Sequence, residues 1–170
     1  MKITVPEYKK YLSNDIIYPF AKSELLILLS MGNAYRSMKS NEQGKQIYKA
    51  IFQCLELNYI GEPDNTTMKI TVGRNLARAY ATGGENAKAL EILEQCVELA
   101  CINDYGGKIG ELLLSMAYDY DTLAKNGVHS DIYSGYVKKY LRQAHYLAAA
   151  RGEDTLANEV QKYYFKCFDE

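Results

Sequence analysis

Apolar residues recur every three to four positions from Ala21 onward, the spacing of one helix face rather than of a strand. One stretch shows it clearly: Ala89, Leu90, Ile92, Leu93, Cys96, Val97, Leu99 and Ala100 fall on one side of a helix. The pattern predicts seven helices, over about 21–38, 42–59, 66–81, 85–103, 108–125, 130–150 and 155–168. Polar and glycine-rich breaks separate them. Ser40-Asn41 reads as a turn and N-cap, Gly61 to Asn65 as a loop, and Gly83-Gly84, Asp104 to Gly107, Asn126-Gly127 and Gly152 as helix ends. His129-Ser130-Asp131 is expected to cap the sixth helix. No segment alternates as a strand does. The fold class expected is all-α: antiparallel helix pairs over about 21–60, 64–103 and 107–152, with a closing helix at 155–168. Residues 1–20 read as an irregular N-terminal segment with a short helix through Leu12, ended by Ser13-Asn14-Asp15 and set apart by Pro19. The helical array has no obvious N-terminal cap, and an excised fragment is the expectation.

Within these helices a pattern repeats. It reads Leu28-Met31-Gly32-Tyr35, then Gly73-Leu76-Ala77-Tyr80, then Leu113-Met116-Ala117-Tyr120. A small residue follows an apolar one, and a tyrosine comes three residues later. A second helical stretch follows each time. Repetition at a few tens of residues predicts a solenoid, an architecture used for binding more than for catalysis. The small residues Gly32, Ala77, Ala89 and Ala117 leave room for close helix approach. Tyr35, Tyr48, Tyr80, Tyr120 and Tyr146 are expected to wedge between layers as core residues.

The second pair carries a resemblance to the tetratricopeptide repeat. Its residues run Asn75-Leu76-Ala77-Arg78-Ala79-Tyr80, then Gly84-Glu85-Asn86-Ala87-Lys88-Ala89-Leu90, then Cys96-Val97-Glu98-Leu99-Ala100. The resemblance implies a right-handed superhelix of antiparallel helix pairs. The wedge tyrosines lie 45 and then 40 residues apart, longer than the repeat of about 34 residues usual in that family. Long repeats of this kind are similar to the C-terminal sensor domains of Firmicutes helix-turn-helix regulators. Tyr140 to Ala148 and Leu57-Asn58-Tyr59-Ile60 are the other segments that resemble that group. The resemblance covers roughly residues 22–168. It implies a sensor or oligomerisation part of a transcription regulator, without the DNA-binding domain that precedes the solenoid in such proteins. It also implies a peptide or protein ligand held in the concave groove.

Composition narrows the function classes. The chain has 170 residues, enough for one domain, with 48% hydrophobic and 24% charged residues. The formal net charge of -1 lacks the basic excess of a nucleic-acid-binding surface. Three prolines suit long helices. Cys54, Cys96, Cys101 and Cys167 form no CxxC pair and sit in apolar helical patterns, so reduced core cysteines are expected. His129 and His145 lie near none of them in sequence, and no metal site or cofactor is expected. The longest apolar run, Leu25 to Leu29, is too short to cross a bilayer. A cytoplasmic protein without membrane or direct nucleic-acid contact is the expectation, with a homodimer allowed.

Candidate binding residues lie on the first helix of each pair, which a solenoid presents inward. They are Asn33 and Arg36 in the first pair, Arg74, Asn75 and Arg78 in the second, and Ser115, Tyr118 and Asp121 in the third. Arg74 and Arg78 lie one turn apart, and their guanidinium forks suit a carboxylate. An asparagine amide offers donor and acceptor to a peptide group. The repeat resemblance implies that role for Asn33 and Asn75. Glu111 and Ser115 stand where the chaperone-tail clamp of some repeat proteins needs basic residues, so that clamp is not expected. A solvated polar face is the alternative for the whole set. Tyr163, Tyr164 and Phe168 give the last helix more aromatic surface than a cap needs, either as an interface or as closure of the core. No enzyme chemistry is expected: there is no phosphate loop after a strand, and His129-Ser130-Asp131 is too local for a triad.

Overall fold

A computed structural model describes residues 19–58, 63–126 and 129–168. Among them stand seven helices and no strand: α1 (Lys22–Ser37), α2 (Asn41–Asn58), α3 (Pro63–Thr82), α4 (Asn86–Ile102), α5 (Gly106–Lys125), α6 (Ser130–Ala150) and α7 (Asp154–Phe168). The expected short helix through Leu12, and Tyr59 to Glu62, lie outside the described residues.

Four of the connections use one turn. Lys39, Gly84, Asp104 and Gly152 each take positive φ directly after a helix. The amide of the next residue then reaches back five residues: Ser40 N–H to Tyr35 O at 2.9 Å, Glu85 to Tyr80 at 2.9 Å, Tyr105 to Ala100 at 2.9 Å, and Glu153 to Ala148 at 2.9 Å. This is the Schellman closure, which satisfies carbonyls that the helix end would otherwise orphan. Glycine enters the left-handed region without strain, and lysine does not, so the α1–α2 turn carries a cost that the α3–α4 turn avoids.

Each helix packs on the next in sequence, and α5 also touches α3 and α7. Side-chain bonds tie α1 to α3, α3 to α5 and α5 to α7. The odd-numbered helices therefore form one row. The core is a single cluster, from Leu25 and Leu28 through Ile47, Ile51, Ile70, Leu76, Leu93 and Leu112 to Leu141 and Val160. Ala77, Ala89 and Ala117 are buried within it. A Cβ built on Gly32 would sit 2.7 Å from the Tyr48 ring, and one on Gly73 would sit 2.3 Å from Cys96 Sγ. Small residues thus set the helix spacing.

Several expectations need correction. The third helix starts at Pro63 rather than Thr66, because proline's fixed φ and missing N–H suit the first helical turn. The fifth starts at Gly106 rather than Lys108. The cap of α6 is His129, at positive φ with no side-chain cap bond, and Ser130 is already helical. Tyr48 is fully buried, and Tyr35, Tyr80 and Tyr120 pack partly buried against the core. Tyr146, expected as a wedge, is 71% exposed. The core face of α6 runs Val137, Leu141, Ala144, Ala148, and Tyr146 lies off it. The expected seam of core cysteines holds for Cys54 and Cys96, but Cys101 is exposed and Cys167 half-buried.

Candidate ligand groove

The row of odd-numbered helices lines a groove of about 1140 Å³. Of the expected binding residues, Arg36, Arg74, Asn75, Arg78, Ser115 and Tyr118 line it. Asn33 and Asp121 do not line it. The separation has local causes. Arg36 Nη1 donates to Asn75 Oδ1 at 2.9 Å. Asn75 Nδ2 in turn donates to Asn33 Oδ1 at 3.4 Å, and the Tyr48 hydroxyl donates to the same oxygen at 2.8 Å. Asn33 and Asn75 thus satisfy each other and aim Arg36, rather than standing open to a peptide backbone. Asp121 is bound by Lys125 at 2.6 Å and by the Tyr163 hydroxyl at 2.5 Å.

The hydroxyls on this row are mostly spent on their own helices. Ser30, Ser37, Thr71, Thr82, Ser115 and Thr122 each donate to the carbonyl four residues back. What remains for a ligand is charge. Arg74 pairs with Glu111 across α3 and α5. Burial, and then the positive field of Arg78, holds its guanidinium below the usual arginine range. The Tyr48 phenol is raised by burial, while Arg36 and Arg78 together draw it down, which puts both guanidiniums within its field. Arg78 takes no acidic partner among the described residues.

The opposite end of the groove is acidic. Glu153 of the turn before α7, and Asp154 and Glu159 of α7, line it, and the Tyr118 hydroxyl donates to Glu159 Oε1 at 3.1 Å. Burial first, and Glu159 second, push that phenol up to about 12. Asp119 of α5 also lines the groove and is only 7% exposed. Burial alone pushes its carboxyl up to about 7. Sequence reading did not place Asp119, Glu153, Asp154 or Glu159 on the groove. A signal for Asp119 existed, because Glu111, Ser115 and Asp119 form one stripe at four-residue steps, and the first two were already singled out.

The aromatic residues expected at an interface are largely taken up internally. Tyr163, Tyr164 and Phe168 are half-buried and pack against the core. Tyr163 meets the Tyr118 ring edge-on at 4.3 Å between centroids, and Tyr164 meets Phe168 at 5.0 Å. The exposed aromatic on α7 is Phe165, at 47%. No group of three His, Cys, Asp or Glu side chains able to hold a metal stands among the described residues, and no helix there is long and apolar enough to cross a membrane. No protein-family model matches the chain, and no curated protein matches it in sequence.

Proposed function

We propose that this chain is a protein- or peptide-binding helical repeat domain of the tetratricopeptide-like type, acting as the sensor or oligomerisation part of a bacterial transcription regulator. The observation that carries the reading is the clustering of Arg36, Arg74 and Arg78 on one groove, with a single paired carboxylate, Glu111, among them. Three guanidiniums so close repel one another, and an anionic group from outside relieves that repulsion. The groove exceeds the common small-molecule pocket of about 300–1,000 Å³ and is open and polar, which suits an extended peptide. A ligand that bridges α1, α3, α5 and α7 favours one spacing of that row. It would thereby change the curvature of the array or its dimer arrangement, and so the presentation of an attached DNA-binding domain.

The test is fluorescence anisotropy with a labelled pool of acidic heptapeptides. Saturable binding to the native chain, weakened at least tenfold by the Arg36→Ala/Arg78→Ala double substitution, is expected. Absence of saturable binding to the native chain overturns the reading. A second reading, a structural adaptor, draws on the exposed Phe165 on the last helix. It predicts that light scattering shows self-assembly lost in Phe165→Ser.

A further inference from the structure

We propose that Asp119 is the seat for a cationic group, an ammonium or guanidinium, of the ligand that the groove receives; the inference rests on the reading of the groove as a ligand site. Asp119 is more than nine-tenths buried, yet it lines the cavity rather than the core. No described residue gives it a hydrogen bond or an ion pair. On the groove wall three hydroxyls are committed elsewhere, and neither Thr155 nor Arg78, which also line it, bonds Asp119. Thr82 donates to Arg78 O at 2.8 Å, Ser115 to Glu111 O at 2.9 Å, and Tyr118 to Glu159 at 3.1 Å. A carboxylate largely shielded from water and without a protein donor is costly, and proteins seldom leave one so.

The surroundings select a cation over a neutral donor. A neutral amide would hydrogen-bond the carboxylate but leave its charge buried and uncompensated. Glu153 before α7, with Asp154 and Glu159 of α7, extends the negative field along the same side of the groove, and no lysine lines it. With arginines at the α1 and α3 end, the groove is bipolar. A ligand with one anionic and one cationic group therefore has a single preferred direction.

Recognition at Asp119 depends on pH. The charged and titratable groups around the groove are Arg36 from α1, Arg74 and Arg78 from α3, Glu111 and Tyr118 from α5, Glu153 from the turn before α7, and Asp154 and Glu159 from α7. From α4 only Leu93 reaches the groove, and α6 contributes nothing. Tyr118, pushed up to about 12, stays protonated throughout the neutral range. Asp119 holds its proton up to about pH 7 in the empty groove, so the cation binds better as pH rises through that value.

The experiment uses the full chain labelled with ¹³C at aspartate carboxyls and ¹⁵N at arginine side chains, titrated by NMR with n-hexylammonium and, separately, with hexanoate. Saturating n-hexylammonium should lower the Asp119 titration midpoint by at least one pH unit, and hexanoate should not. Asp119→Asn should weaken n-hexylammonium binding at least tenfold with an unchanged helical circular dichroism spectrum. The native-chain titration stands alone if that variant does not fold. The proposal is overturned if n-hexylammonium leaves the midpoint in place, or binds the Asn variant as tightly as the native chain. If hexanoate still shifts the Arg78 guanidinium signal in that event, the groove reading survives without the cation seat. If neither probe binds, both fall.

Discussion

The two ends of the groove are built from the same row of helices but treat their charges differently. At the α1 and α3 end, Arg36 is held by the Asn75 amide and Arg74 by Glu111, and Arg78 is left over. At the α5 and α7 end, Glu159 is held by Tyr118 and Glu153 by Arg151, and Asp119 and Asp154 are left over. Each end therefore carries neighbours that are satisfied within the chain and charges that are not: exposed Arg78 at one, exposed Asp154 and buried Asp119 at the other. The difference lies in burial. Arg78 is exposed, so water satisfies it cheaply, whereas Asp119 is largely shielded from water and bears most of the desolvation cost. Of the two, Asp119 has more to gain from a ligand.

The sharpest way to break this contrast is to remove the buried charge. The Asp119 carboxyl rises from 3.8 to about 7 on folding. A carboxyl raised in the folded state costs nothing below its unfolded value, costs progressively more between about pH 4 and 7, and its full amount above. At 1.36 kcal/mol per unit, the full amount is on the order of 4 kcal/mol. Asp119→Asn should therefore stabilise the ligand-free chain by about that much at pH 8 and leave it unchanged near pH 3.5, as read by urea denaturation. A pH-independent difference would contradict the account of a buried, unpaired carboxylate.

A smaller effect comes from the packing beneath both ends. Gly73→Ala places its Cβ 2.3 Å from Cys96 Sγ and 2.9 Å from the Phe52 ring. It should cost about 2 kcal/mol of unfolding free energy by urea denaturation, with both probes' binding weakened together. Weakening at one end alone would show that the ends do not share one scaffold.

The helices were legible because their apolar residues keep the helical period over many turns, as Ala89 to Ala100 do. Boundaries were less so. Pro63 reads as a loop residue by composition, yet it opens α3, since the same ring that breaks a helix interior suits its first turn. Tyr146 reads as a wedge by residue type, yet it lies off the face set by Leu141 and Ala144. Six of the eight expected binding residues line one groove because the inner row follows from helix order. Asn33 could not be separated from Asn75 in sequence, because their mutual bond forms only when α1 and α3 are adjacent. The isolation of Asp119 was likewise illegible. It depends on Thr82, Ser115 and Tyr118 having spent their hydroxyls elsewhere.

The smallest predicted effect touches neither end of the groove and serves as their control. Lys39→Gly relieves a left-handed residue in the α1–α2 turn and should stabilise the chain by about 0.5 kcal/mol after glycine's entropic cost. Thermal melts should show the gain, and binding of n-hexylammonium and hexanoate should not change.

The central claim is that the odd-numbered helices carry the ligand face. Hydrogen exchange, with and without the tightest-binding heptapeptide of the acidic pool, tests it most directly. The account predicts added protection on α1, α3, α5 and α7, greatest around Arg78 and Asp119. Protection concentrated on α2, α4 and α6 would contradict it.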